Sequence, residues 1–397
     1  MARPEKRMKH DRDELPSLRN FPISSLRDVA QFDRSFPSFR LPEEIGTFSL
    51  SQLPGSQSKR QYHDDCRALK PLRRRGKGTL VSNISLNLDH GFHSWIRRVK
   101  EKGYSEHIDH LLEWILHHPQ NFLLFKHKIN LVCWRGKLHE LMTTPYSQSD
   151  RWNNGWIICV CKIDGILYLS SFENDAAAAK RLGQSQQDSK FEYWGFKFEQ
   201  YMTTDPADRE VLKEPVTNFD GFHSVLYSKL GETGILFGGE MDCFDPNLDP
   251  KTTSAPATYV ELKTSRLLST DNQRRQFCSQ KLLKFWAQSF VAGVPTIVIG
   301  FRNDQGNVSQ TEELRTQDIS KIVKSSGEPW SPAVCVNFLN DFLTFVRRTA
   351  VEEYDKAVYR FVWCPGWEKV EFHEEAPDSK WKFIPDWYIR SRPGRPT

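Results

Sequence analysis

The side chains best suited to chemistry stand in two short acidic fragments, Glu240-Met-Asp242 and Glu261-Leu-Lys263. The first ends the run Gly234-Ile-Leu-Phe-Gly-Gly-Glu-Met-Asp-Cys-Phe-Asp245, and the second lies in the β-forming run Thr258-Tyr-Val-Glu-Leu-Lys-Thr264. Residues two apart in a strand share a face, so Glu240 and Asp242 should point together. Glu261 and Lys263 should do the same, opposite Val260 and Leu262. Turn-forming Asp245-Pro246, Asp249-Pro250 and Ser254-Ala-Pro256 separate the runs, which are expected side by side as a hairpin with a long loop. Three carboxylates and an ammonium gathered there would raise their own pKa values unless a divalent cation neutralised them, and hard oxygen ligands suit Mg²⁺ or Mn²⁺. One or two such ions activate water and stabilise a leaving oxygen, while a nearby lysine neutralises phosphate: this is the chemistry of phosphodiester hydrolysis. A Glu-x-Lys triplet alone is an ordinary strand pattern; its combination with Glu-x-Asp carries the reading.

The elements around these fragments follow from periodicity. Residues 104–118 have the spacing of an amphipathic helix stopped before Pro119, with His107, His110, His117 and His118 on its polar flank. Apolar Leu131-Val-Cys-Trp134 leads into Arg135, expected to be exposed near an element end, where a guanidinium can grip phosphate or form a surface ion pair. Residues 155–172 form a hairpin turning at Asp164-Gly165. A helix over 188–202 presents Phe191, Trp194, Phe198 and Tyr201 as an apolar stripe, with Glu199 one turn beyond Gly195, whose missing side chain permits close approach of a backbone or substrate. A second helix over 272–291, capped by Asn272 and ended by Gly293, turns Lys281, Lys284 and Gln288 towards one groove. Thr296-Ile-Val-Ile-Gly300 then reads as a buried strand.

Taken together, Gly239-Glu-Met-Asp-Cys243, Tyr259-Val-Glu-Leu-Lys-Thr-Ser265, Gly195-Phe-Lys-Phe-Glu199, Trp134-Arg-Gly-Lys-Leu138 with Thr144-Pro-Tyr146, and Lys281-Leu-Leu-Lys-Phe-Trp-Ala-Gln288 resemble the ordered motifs of the eukaryotic decapping exoribonuclease (DXO) family. The likeness runs from about Phe36-Pro37 to Trp387-Tyr388. It implies an α+β fold: a mixed-sheet nuclease core like that of the PD-(D/E)XK superfamily, with surrounding helices. It also implies metal ligation by Glu199, Asp242 and Glu261, with the Leu262 carbonyl available and Glu240 acting partly through water. Lys263 completes the catalytic face, and Arg135 and Gln288 contact RNA phosphate. The implied activity is Mg²⁺- or Mn²⁺-dependent hydrolysis, through two ions, of faulty RNA 5′ ends (triphosphate, incompletely methylated guanosine cap or NAD cap), followed by 5′-to-3′ degradation of the single strand. The family's fungal members partner a nuclear 5′-3′ exoribonuclease, so a noncatalytic RNA-end binder or accessory protein that stabilises such an enzyme is the alternative. Erosion of the ligand set would favour it, and Glu199, Asp242, Glu261 and Lys263 are all present.

Composition sets bounds on these readings. The 397 residues are 38% hydrophobic with 12 Trp and 26 Phe, enough for a sizeable core, and read as a charged tail over 1–30 followed by one elaborated catalytic domain over 31–397. No apolar run approaches the roughly 20 residues of a membrane span. The N-terminus lacks the apolar core of a secretory signal, so nucleus or cytosol is expected, with Lys6-Arg-Met-Lys9 a candidate import signal; the protein is expected to be a monomer. The eight cysteines lack paired C-x₂-C spacing and read as reduced core residues. Positive charge concentrates in 59–77, where eight Lys and Arg face only Asp64 and Asp65, an arrangement for a phosphate backbone or for a solvated loop.

Overall fold

The computed structural model describes residues 20–394 except 23–25, 77, 102–103, 148–152, 250 and 328–329. Among the described residues, strands collect into a ten-stranded and a five-stranded mixed sheet, and helices fill the space between and around them, an α+β architecture. Parallel strands Leu131–Trp134 and Thr233–Glu240 lie at the centre of the large sheet. They are buried on both faces, which is why their sequences are continuous apolar runs. In the small sheet, Tyr259–Arg266 runs parallel to Thr296–Arg302, with Glu261 opposite Ile297. The main core lies between the inner faces of the two sheets and includes Leu138, Leu282, Trp286 and Phe342 from the helices Arg135–Thr143, Leu282–Ala292 and Pro332–Thr349. On the far face of the small sheet, Trp194 and Phe198 of the helix Gln186–Thr203 pack against Val260, Leu262 and Val298.

The 155–172 hairpin forms as expected: Asp164 and Gly165 take φ of 50° and 80° between strands Trp156–Ile163 and Ile166–Phe172. Cys159 and Cys161 are buried in its first strand. Four expectations need correction. The two acidic runs form the expected hairpin with a long loop only over two residues, not along their length. The first leaves the large sheet at Glu240, crosses at Met241-Asp242, and joins the small sheet only through Cys243 and Phe244, which pair with Val260 and Tyr259. Glu240 and Asp242 therefore belong to no common strand. The expected tail also reaches too far, because Asn20–Pro22 pairs with Lys369–Glu371 and Phe21 is buried among Phe338, Phe342 and Phe345. Residues 1–19, with Lys6-Arg-Met-Lys9, lie outside the described residues. The 104–118 helix begins only at Asp109, and a second helix, Pro119–Lys126, starts with the proline expected to stop it. The 272–291 helix is capped by Thr270 and interrupted by a π-turn, Phe277–Lys281.

The basic segment is divided: among its described residues Lys59, Arg67, Lys70 and Arg73 are exposed, whereas Arg60, Arg74 and Arg75 are tied into the protein. Arg60 bonds Glu106 at 2.8 Å, Arg74 bonds Asp245 at 2.9 Å, and Arg75 donates to the carbonyls of Tyr201 and Thr204. Lys70 and Arg73 remain exposed, while Lys77 lies outside the described residues. Among the described residues, no helix is long and apolar enough to cross a membrane.

One glycine fixes how closely the Gln186–Thr203 helix approaches its sheet. A Cβ on Gly300 would stand 2.5–3.0 Å from three atoms of the Phe198 ring, beside Glu199. Gly300→Ala should therefore cost about 1–3 kcal/mol of stability and shift Glu199, read as a lower urea midpoint with reduced activity. An unchanged midpoint would show that the contact does not constrain the helix.

Candidate active site

Five elements and one crossing segment converge where the sheets meet. The Tyr259–Arg266 strand supplies Glu261 and Lys263, and the crossing segment supplies Asp242. The end of Thr233–Glu240 supplies Glu240, and Arg135 begins the helix that continues directly from Leu131–Trp134. Gln288 comes from Leu282–Ala292. The Gln186–Thr203 helix, held at its start by a Ser185/Asp188 capping box, brings in Glu199 near its other end. Glycines make the convergence possible: a Cβ on Gly238 would meet the Trp134 ring at 2.4 Å, and one on Gly239 would press on Arg135 at 3.2 Å.

Glu261 is 1% exposed. Its Oε1 accepts from Lys263 Nζ at 2.7 Å and from Gln288 Nε2; its Oε2 accepts from Arg135 Nη1 at 3.0 Å. Asp242 Oδ2 takes the backbone N–H of Leu262 at 2.7 Å and lies 3.7 Å from Lys263 Nζ. Lys263 thus stands between two carboxylates. Arg135, expected to be exposed, is 6% exposed and committed to Glu261. The expectation failed because the strand before it is central rather than marginal.

Glu199, Glu240 and Asp242 line a cleft of 620 Å³ whose rim carries Lys70 and Arg73. A larger cavity, 1460 Å³, lies around Tyr104, Phe172 and Phe383 and contains none of these carboxylates. Among the described residues, no three His, Cys, Asp or Glu side chains stand close enough together to form a ready-made metal cage. The reason is visible in the hydrogen bonds: Glu261 is held by Arg135, Lys263 and Gln288, and Asp242 by a backbone amide. The donor set still fits a hard divalent ion, because Glu199, Glu240 and Asp242 line one opening and feel the charge of the others or of Glu261 buried behind it.

The electrostatics divide the carboxylates. Burial, then the charges of Asp242 and Glu240, push Glu199 well above the usual carboxylate range. Crowding by protein raises Glu240, although its side chain opens to solvent on the cleft floor. Burial and the neighbouring Glu261 push Asp242 up to about 7. Glu261 goes the other way. Burial alone would raise it, but Arg135 and Lys263 outweigh that and hold it below the usual range. Lys263 is raised because the attraction of Glu261 and Asp242 exceeds its own burial penalty.

The structure thus brings together Glu199, Glu240, Asp242, Glu261, Lys263, Arg135 and Gln288. Lys281, expected in the same groove, points instead to the strand's end, with Nζ 3.3 Å from Ser265 Oγ. One neighbour went unnoticed in the sequence. His139 lies one turn after Arg135 with a buried Nδ1 that has no hydrogen-bond partner, and burial together with Arg135 and Lys137 keeps its pKa near 3. Its i+4 spacing from Arg135 was the available signal.

Comparison with known proteins gives a concordant result. A family model described as RAI1 like PD-(D/E)XK nuclease matches residues 40–389. The Decapping and exoribonuclease proteins of Bos taurus and Homo sapiens are each 37% identical to this chain, over 385 and 388 residues. Both alignments cover 96% of it, and they span 91% and 92% of those proteins. Candida albicans Rai1, solved in complex with pU5-Mn²⁺, superposes with a TM-score of 0.72 at 20% identity, covering 95% of this chain and 96% of that one.

The raised carboxylates carry a testable linkage. Asp242 holds its proton up to about pH 7 in the folded, metal-free protein but only to about 4 when unfolded. The folded state therefore binds more protons between those values, and the contribution of Asp242 to stability falls as pH rises through that window. Asp242→Asn should raise the metal-free thermal midpoint at pH 8, by on the order of a kcal/mol or more, and leave it unchanged at pH 4. Divalent-ion affinity in the parent protein should increase with pH through the same window, with proton release on binding. Calorimetry in buffers of different ionisation enthalpy reads that release, and its absence would refute the assignment.

Proposed function

The chain belongs to the RAI1 like PD-(D/E)XK nuclease family, and we propose that it is a metal-dependent RNA 5′-end hydrolase that removes incomplete or nonstandard caps and degrades the exposed strand from 5′ to 3′. The observation that carries this reading is the cleft in which Glu199, Glu240 and Asp242 face solvent beside Lys263, with cationic Lys70 and Arg73 at its rim. A cleft with cations at its rim suits a single anionic strand. The names of the curated relatives, decapping and exoribonuclease proteins at 37% identity over nearly the whole chain, support the same activity.

Glu199, Glu240, Asp242 and Glu261, with the Leu262 carbonyl, would hold Mg²⁺ or Mn²⁺, and two ions is the number we favour. Bound there, the metal supplies an activated water and charge neutralisation for the phosphate. The remaining tasks belong to the protein. Lys263 holds a permanent positive charge between Glu261 and Asp242, where an incoming phosphate adds negative charge. Gln288 presents its amide from the opposite helix and can turn from Glu261 to a phosphate oxygen. Arg135 acts through Glu261, keeping that carboxylate ionised and aimed, rather than by gripping RNA directly.

Triphosphate, unmethylated guanosine and NAD ends all present phosphoanhydride or phosphoester bonds near a 5′ terminus, so one electrostatic site can serve each of them. Which phosphorus reacts depends on how far the end enters. With this activity we propose residence in the nucleus and also the cytoplasm, alone or beside a larger 5′-3′ exoribonuclease.

Purified protein should be incubated with matched RNAs bearing 5′ monophosphate, triphosphate, unmethylated cap, methylated cap or NAD, each with Mg²⁺, Mn²⁺ or chelator. Product masses identify the bond cut. Asp242→Ala and Glu261→Ala should each lower the rate at least about 10²-fold while the far-ultraviolet spectrum stays native. Full activity in both variants removes the site, and binding without cleavage by the parent protein points to the noncatalytic accessory role.

A further inference from the structure

The Glu199 helix carries a feature that the hydrolytic chemistry leaves unused. Phe191, Gly195 and Glu199 follow one another at intervals of four residues and so form one row along the helix. Gly195 costs the helix about 1 kcal/mol relative to alanine, yet no neighbouring protein atom lies within 4 Å of where its Cβ would stand. Close packing against protein does not account for it. The row dips between the carboxylate and the Phe191 ring, making a trough about 12 Å long at 1.5 Å per residue.

The far end of the trough is built as a platform. Phe191 is 46% exposed, and Arg302 lays its guanidinium 4.8 Å from the centre of that ring and 4.4 Å from that of Trp194. Trp194 is fixed beneath it: 1% exposed, donating from Nε1 to Asp89 at 2.6 Å, and filling the space over Gly306. Among the described residues, no carboxylate lies in ion-pair range of Arg302, and the adjacent Asp304 is already bonded to Arg266. Arg302 is half-buried, with Nη1 donating to the Asn303 carbonyl at 3.1 Å and Asp304 near enough to favour its charge but not to pair with it, so this is a partly desolvated planar cation on aromatic rings. Such a surface suits an unpaired base, which stacks on ring and guanidinium alike, together with its phosphate.

We propose that this trough is a track for single-stranded RNA running from the carboxylate cleft, and that Phe191 and Arg302 stack an unpaired nucleobase along it. The inference rests on reading the cleft as an RNA nuclease site and names the route of the strand beyond it.

The test measures binding in chelator, so that nothing is cleaved, using 5′-monophosphorylated RNAs from a dinucleotide to roughly ten nucleotides, with 2-aminopurine placed at successive positions. Phe191→Ala should lose about tenfold in affinity for the longer RNAs and none for the dinucleotide, and it should abolish the quenching of 2-aminopurine at one internal position. Phe191→Trp should restore both. Gly195→Ala should raise the thermal midpoint, since alanine favours the helix, yet weaken binding of the longer RNAs by filling the trough. Phe191→Ala with parental affinity at every length, or with the same loss for the dinucleotide, overturns the track. Cleavage by the parent protein with Mn²⁺ is measured alongside. If it cleaves, such a result removes the track alone; if it neither binds nor cleaves RNA, the nuclease reading falls and the track with it.

Discussion

Glu261 is a carboxylate removed from water and kept charged, and the rest of the site is arranged around that constraint. Burying an ion costs several kcal/mol unless partners replace the lost hydration. Here the partners come from three places: Lys263 on the same strand, Arg135 on a helix rooted in the large sheet, and Gln288 on a helix packed in the core. Satisfying one charge therefore fixes the small sheet against the large one. A surface ion pair could not do this, because water would compete for both ends.

The same burial has opposite outcomes within a few residues, because the charges around each carboxylate differ. Glu261 is surrounded by positive charge and stays ionised, whereas at Glu199 and Asp242 burial, reinforced by neighbouring carboxylates, exceeds the pull of Lys263 and pushes them towards their protonated forms. Groups whose environments drive their pKa values apart are the usual sign of divided roles in a catalytic site. One carboxylate serves as the fixed anchor of the framework, and the others form an opening that gains from any added cation. The stability lost by crowding Glu199, Glu240 and Asp242 is offset by the apolar core between the sheets rather than by pairing within the site.

Much of this was legible in the sequence, and the failures have physical causes. Apolar and β-branched runs located Thr296–Arg302 and the 155–172 hairpin, because strand patterning and the Asp-Gly turn are local signals. Glu240, Asp242, Glu261 and Lys263 stood out by type and spacing. Glu199 and Gln288 did not: each reads as an ordinary polar helix residue until the family motif singles it out. The transfer of the chain from one sheet to the other at Met241-Asp242 was hidden because period-two alternation does not say which sheet a strand joins. Arg135 was misplaced for a related reason. An arginine after four apolar residues looks like a strand end at the surface, and only the non-local partner Glu261 makes burial tolerable.

Two departures from regular helix stand at the site itself. A helix that would be more stable with alanine carries Gly195 one turn from Glu199. The Leu282–Ala292 helix is preceded by a π-turn, Phe277–Lys281, which changes its angular phase before Gln288 is reached. An uninterrupted α-helix from Thr270 would bring Gln288 round at a different angle, away from Glu261, and would carry Lys281 away from the end of the strand. Local helical preference and the global arrangement conflict at these two places, and a conflict tolerated at a cost in stability marks where position matters more than stability. The buried charge sets where the elements must meet, and these departures from regular helix let them meet with the required side chains facing inward.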